Sequence, residues 1–374
     1  MKDILIFSPI FSHPVMGGNI ARIHNMAKEL QNQGNKIHFV YYELFSYNMC
    51  GVKENSKYIK EMNECWDSCH IISSVNNPFN KPKNGEYFEI DEWFESNIEQ
   101  CIKLININPD IVIANYIFTS KILDYFPNAL KVLDTHDKLA DRHIKQKQLG
   151  INPDFFYTTR YEECKACQRA DIIIAIQDEE KKYFQELNPN KKVVTISHIE
   201  AEKFINKEYK ELKEIGFLGS FSSMNIESLK DFLYTNKGLD FLQRNNINLN
   251  LAGSICNYFK EDISNIIKHG YVENLEEFYK SMDLFIAPMT NGDGQNIKTI
   301  EALSYGVPIF GTKLGFRGTE ATYGTYFNDN KELVQQLEYC ASKNKSIQED
   351  SNESKRLFKK YTDKNNKRLR GLLK

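Results

Sequence analysis

Short aliphatic runs alternate with stretches of helical spacing along most of this 374-residue chain, and they do so in two separate series. In the first series Asp3–Ser8, Lys36–Tyr42, Asp110–Ala114, Lys131–Asp134, Asp171–Ile176 and Lys192–Ile196 read as strands. Asn19–Gln33, with Ile20, Ile23, Met26, Ala27 and Leu30 on one face, reads as a helix that stops at Gly34. Tyr87–Ile105 and Tyr161–Ala170 are further expected helices. His198–Lys213 is charged, lacks a strand signal and reads as a linker. Ile215–Leu218 then opens a second series, continued by a helix over Glu227–Arg244 and strands at Ile247–Ala252, Lys268–Val272, Asp283–Ala287 and Val307–Phe310. Buried strands separated by helices make parallel sheets covered on both faces. The expected architecture is α/β, with Rossmann-like domains over 1–200 and 201–345 facing each other across a cleft. A basic helical segment, 346–374, is expected to pack back on the first. Ligands of such sheets gather beyond the carboxyl ends of the strands.

Composition narrows the function classes. Hydrophobic residues at 41% and charged residues at 26% describe a soluble globular protein, and a net charge of −2 disfavours general nucleic-acid binding. Met1–Phe7 is too short an apolar run for a signal peptide, and no segment approaches a membrane span, so a cytoplasmic location is expected. Cys164 and Cys167 form a C-x-x-C, but inside an expected helix and without a second close pair. Reduced thiols are expected there rather than a metal or redox site. Lys355–Lys374 holds nine Lys or Arg with Leu357, Phe358, Tyr361, Leu369, Leu372 and Leu373 at roughly helical spacing. It reads as a helix packed on the body, or as a basic face peripheral to anionic lipid at the inner side of a membrane.

The densest stretch runs from Asp283 to Thr312: strand, glycine loop, helix, Gly306-x-Pro308 turn, strand. Gly292 and Gly294 allow close approach of backbone amides to a ligand, and the helix that starts near Asn296 offers free N–H groups to an anion. Lys298 and Glu301, three apart, share a face of that helix. A cation beside phosphate and a carboxylate one turn on suit a nucleoside diphosphate. Taken singly, the two would read as an ordinary surface ion pair.

This stretch resembles the donor region of GT-B glycosyltransferases, specifically the retaining family 4. That family has a carboxylate, seven intervening residues, then a Glu that opens a Glu-Ala-Leu/Met helix; Asp293 and Glu301 stand at this spacing, with Asp in place of the usual Glu. The resemblance implies that Glu301 holds ribose hydroxyls and that Asp293, Gly294, Gln295 and Asn296 face the donor sugar and pyrophosphate beside Lys298. Phe217-Leu218-Gly219-Ser220 resembles the glycine turn that borders the phosphates. Gly270-Tyr271-Val272 resembles the run whose backbone reads the base, and Gly315-Phe316-Arg317-Gly318 resembles a later Gly-x-x-Gly. Many members carry an Arg and a Lys just after the Gly219 turn; Ser220–Asn225 has neither, which leaves Lys298 and Arg317 as cations.

In the first series Gly17-Gly18 resembles the family's opening, and Asn115 lies at a strand's carboxyl end. His136 in Leu133-Asp134-Thr135-His136-Asp137 matches the family's cleft histidine, unless Thr135 or Asp137 simply caps a helix there. His13 is a weaker candidate. Transfer of a sugar from a UDP- or GDP-sugar to an acceptor hydroxyl, with retention and without a metal, is what the resemblance implies. His136, Asp293 and Lys298 would be the reactive residues, and Gly17, Gly18, Asn115 and Asp137 would line the acceptor side. Surface glycans, lipid-linked oligosaccharides or proteins are the acceptors it implies. A sugar-nucleotide epimerase and a non-catalytic nucleotide-sugar binder on the same fold remain alternatives.

Overall fold

The computed structural model describes all residues except 16, 45–55, 75–80, 95–96, 149, 151, 154, 293, 343–346 and 373–374. The chain divides into two compact units, Met1–Ile199 and Glu200–Lys374. The basic C-terminal segment belongs to the second.

Among the described residues the first unit holds a seven-stranded parallel sheet: β1 (Asp3–Ser8), β2 (Lys36–Glu43), β3 (Ser68–Ser73), β4 (Ile111–Asn115), β5 (Leu130–Asp134), β6 (Ile172–Ala175) and β7 (Lys192–Thr195). Their spatial order is β3-β2-β1-β4-β5-β6-β7. The order reverses between β1 and β4, where Ile4 pairs with Ile111 and Phe7 with Ala114. In open parallel sheets this reversal is where a crevice forms beyond the strand ends. Residues Ile111–Ala114 and Ile172–Ala175 are buried, which explains their unbroken aliphatic character.

The second unit repeats the pattern with β8 (Glu214–Leu218), β9 (Asn248–Ala252), β10 (Ile266–Gly270), β11 (Leu284–Ala287), β12 (Ile309–Thr312) and β13 (Tyr326–Phe327), in the order β10-β9-β8-β11-β12-β13. Its reversal lies between β8 and β11. Residues 201–210, inside the expected linker, carry neither helix nor strand.

Two expected helices are corrected. Tyr87–Phe94 forms turns, and the helix begins only at Asn97. Phe88 and Trp93 are drawn instead into a ring cluster with Phe156, at centroid distances of 5.3 and 4.9 Å. The backbone there bonds outward, Phe88 N–H to the Tyr157 carbonyl and Ile90 N–H to Glu162. Glu227–Arg244 is not one helix. Ser223–Lys230 runs into a wider turn at Asp231–Thr235, the chain goes left-handed at Lys237, and Gly238–Asn245 is a new helix. The Asn236 side chain donates to the Asp231 carbonyl and carboxylate and so competes with the helical ladder.

Gln348–Leu372 forms a 25-residue helix. Its Leu357, Phe358 and Tyr361 are built into the second unit's core, and Leu369 and Leu372 are buried too. No described helix is long and apolar enough to cross a membrane.

The ends of β8 and β9 approach closely. Gly253 has φ 88 and ψ −175, a region open only to glycine, and a Cβ there would collide with the Gly219 carbonyl oxygen. Gly253→Ala is expected to destabilise the second unit by more than about 3 kcal/mol, read from the urea midpoint.

Candidate functional site

The second unit's candidate residues converge where β8 and β11 end. Ile297–Tyr305 is a helix because Ile300, Ala302 and Leu303 bury one face in the core, and it ends at Gly306 with φ 68. Asn296 precedes it without a side-chain cap bond. The Asn296 amide turns aside instead, donating to Thr299 Oγ1 at 2.9 Å and to the Gly315 carbonyl. Gly292, with φ 121, and Gly294, with φ 77, take backbone forms that favour glycine, as the sequence implied. Arg317 Nη1 donates to the Gly292 carbonyl at 2.9 Å and also to Gly294, which fixes the loop. Gln295 donates to the Gly318 carbonyl and accepts from Tyr361. Asp293 lies outside the described residues.

Lys298 and Glu301 are not the surface ion pair that spacing alone allows. The Lys298 ammonium donates to Asn225 Oδ1 at 2.6 Å and sits 4.9 Å from the centre of the Phe217 ring. No carboxylate pairs with it among the described residues. Burial without an opposing charge lowers its pKa to about 7. Asn225, not anticipated from sequence, is held in turn: its amide donates to the Ser220 carbonyl at 3.0 Å and to Ser220 Oγ at 3.1 Å. Those bonds turn its oxygen toward the lysine. Ser222 caps the helix that carries Asn225. The Gly219-Ser220 turn and Lys298 therefore form one unit through an uncharged amide.

Glu301 accepts from the Tyr279 hydroxyl at 3.3 Å. Burial raises its pKa to about 7, and the neighbouring Glu200 adds to this while Lys203 opposes it. Gly270 has φ 66, its carbonyl accepts from Gly253 N–H at 2.6 Å, and Tyr271 beyond it is 71% exposed. Val272 packs against the core. The arrangement supplies a cation, backbone amides and a carboxylate within one loop–helix unit. Among the described residues no group of three or more His, Cys, Asp or Glu stands together as a metal site would require.

In the first unit Gly17, with φ 84, opens the helix Gly18–Asn32. His136 lies past β5, where the next helix begins only at Arg142, so the helix-cap reading of Thr135 and Asp137 does not hold. Thr135 donates to the Ile174 carbonyl. His136 and Tyr116 both have positive φ, 62 and 70, and their rings stack at 4.0 Å. Left-handed backbone at residues other than glycine is costly and clusters at functional sites. His136 Nε2 meets Asn115 Oδ1 at 3.0 Å. Burial lowers its pKa to about 4, against the pull of Asp134, so the ring is neutral at physiological pH. Sequence reading missed Arg22, which forks onto Asp134 with bonds of 2.7 and 3.1 Å. Its position among Ile20, Ile23 and Met26 on the inward face was the available signal.

Residues 212–343 match the family described as glycosyl transferases group 1. No curated protein sequence matches the chain. Among solved structures, sucrose-phosphate synthase from Thermosynechococcus elongatus is similar at 15% identity and TM-score 0.68, over 100% of this chain and 99% of that one. Anabaena HepE in complex with UDP-glucose is similar at 12% identity and TM-score 0.62, over 100% and 99%. A mutant of S. aureus TarM, in complex with fondaparinux, alpha-GlcNAc-glycerol and UDP, is similar at 11% identity and TM-score 0.69, over 100% and 99%.

Proposed function

We propose a reaction for a chain whose second unit belongs to the glycosyl transferases group 1 family and whose two units have the GT-B fold. This glycosyltransferase takes its sugar from a nucleoside-diphosphate donor, UDP- or GDP-linked, and passes it to an acceptor hydroxyl with retained configuration and no metal. The observation that carries the donor reading is Lys298: a half-buried cation that meets an amide oxygen and an aromatic ring but no carboxylate among the described residues. A buried cation in neutral surroundings is costly unless an anion arrives. A diphosphate is such an anion, and its charge grows as the bond to the sugar breaks.

The acceptor is a glycan or lipid-linked glycan, a class suggested by the glycan ligands of the TarM complex. A protein acceptor is the second possibility. Contact of Lys355–Lys374 with anionic lipid would rest on exposed cations such as Lys367 and Arg370, because the helix's described leucines, Phe358 and Tyr361 are buried. Such contact, at the cytoplasmic face of a membrane, is charge-only and is expected to vanish above about 0.3 M salt.

The test is incubation with UDP- and GDP-sugars labelled in the sugar. Release of nucleoside diphosphate together with a labelled glycan supports the reading. Appearance of an epimerised nucleotide sugar, or specific binding without turnover on any acceptor glycan, supports one of the alternatives. Asn225→Asp separates binding from mere stability. It places a carboxylate beside Lys298 and should weaken diphosphate binding at least about tenfold, while the lost donation to the Ser220 carbonyl offsets the new ion pair and leaves the melting temperature little changed. Calorimetric titration and thermal melting together read both effects.

A further inference from the structure

We propose that Arg22 is a positioning residue that keeps His136 an uncharged imidazole protonated on Nε2, so that its Nδ1 accepts a hydrogen bond from a substrate hydroxyl and takes no proton in the reaction. Substrate contact at Nδ1 rests on the glycosyl-transfer reading above; the state of the ring does not.

The chain of contacts fixes the tautomer. Asn115 Nδ2 donates to the Phe7 carbonyl at 3.2 Å. A carbonyl can only accept, so the amide nitrogen faces Phe7 and Oδ1 faces His136. Nε2, at 3.0 Å from that oxygen, must then carry the hydrogen, which leaves Nδ1 bare. The nearby carboxylate would ordinarily undo this. Asp134 Oδ2 lies 3.6 Å from Nε2, close enough to stabilise a charged ring though too far to hydrogen-bond it. Burial outweighs that pull, and Arg22 adds to burial by occupying both carboxylate oxygens, Nε on Oδ2 and Nη2 on Oδ1, while Nη2 is also tied to the Ile196 carbonyl at 3.0 Å. Arg22 and Asp134 are 1% and 0% exposed, so solvent screens neither. These are the two charged groups that act on the ring; Tyr116, stacked on it, is neutral.

The experiment is nitrogen-15 NMR of histidine-labelled full-length protein across pH 5–8, with the His136 signal identified by its loss in His136→Gln. The expected result is a neutral ring, protonated on Nε2 down to about pH 5. A ring protonated on Nδ1, or charged at pH 6, overturns the proposal. In Arg22→Gln the Asp134 carboxylate is released, and the His136 midpoint should rise by about two pH units. Arg22→Gln–Asp134→Asn, which removes both charges, should bring it back down. An unchanged midpoint in Arg22→Gln would deny Arg22 its role. Should that variant not fold, Arg22→Lys takes its place, with a smaller rise expected and no rise again contradicting the role. No readout depends on turnover, so a failed transfer assay and a failed tautomer are told apart.

Discussion

Replacing Lys298 with Met should produce two changes of opposite sign. Nucleoside-diphosphate affinity is expected to fall about 30- to 1000-fold, the effect of losing a charged hydrogen-bond donor to phosphate in a site sheltered from water. The unliganded protein should meanwhile melt at a higher temperature. Its lysine ionises near pH 7 when folded, far below its ordinary value, because no carboxylate among the described residues opposes the effect of burial. At any pH below about 7 the folded state therefore carries the full cost of a buried ammonium. That cost fades as pH rises from about 7 toward 10.5, where the unfolded lysine also loses its proton. Methionine keeps the volume and removes the charge, so a gain of about 1–3 kcal/mol is expected at pH 7, discounted because the side chain is part exposed. A purely structural lysine would give the reverse: lower melting temperature and unchanged affinity. Calorimetric titration and scanning calorimetry distinguish the two.

Diphosphate affinity should also pass through a maximum near neutral pH. Both Lys298 and Glu301 ionise at about 7 in the unliganded protein, and for the same reason, burial. Above that pH the lysine has lost its proton and must regain one to meet the phosphates. Affinity then falls by up to about tenfold per pH unit until the lysine's pKa in the complex is passed. Below that pH Glu301 is protonated and has surrendered a lone pair that the ribose hydroxyls need, so affinity falls on the acid side too. The two limbs separate in variants. Glu301→Gln should flatten the acid limb alone, and Lys298→Met the alkaline limb alone. Glu200 contributes to the raised pKa of Glu301, so Glu200→Gln should move the acid limb to lower pH while leaving the alkaline limb in place.

The parts of this fold that were legible in the sequence are those governed by local chemistry. Ile111–Ala114 and Ile172–Ala175 are aliphatic throughout because both faces of their sheet are covered, and that pattern survives in a single sequence. The glycines at 292 and 294 and the helix behind them were equally plain, since backbone freedom and helix spacing are written locally. What stayed hidden depends on distant partners. Phe88 and Trp93 sit in a stretch that reads as helix, yet Phe156 and Tyr157, distant in sequence, capture them. Arg22 and Asp134 stand 112 positions apart, and nothing in either neighbourhood announces the other. Asn225 looked like one more polar residue in a serine-rich turn until its amide was found between Ser220 and Lys298. It stands in the Ser220–Asn225 stretch where the family resemblance led one to look for a cation.

Titration of the full-length protein with UDP and GDP at pH 8, where Glu301 is already ionised and Lys298 mostly neutral, with the heat measured in two buffers of different ionisation enthalpy, tests the central claim most directly. The account predicts saturable binding of at least one of them in the micromolar to low-millimolar range, with net proton uptake that disappears in Lys298→Met. Absence of binding to either diphosphate, or binding whose proton uptake persists unchanged in that variant, would contradict it.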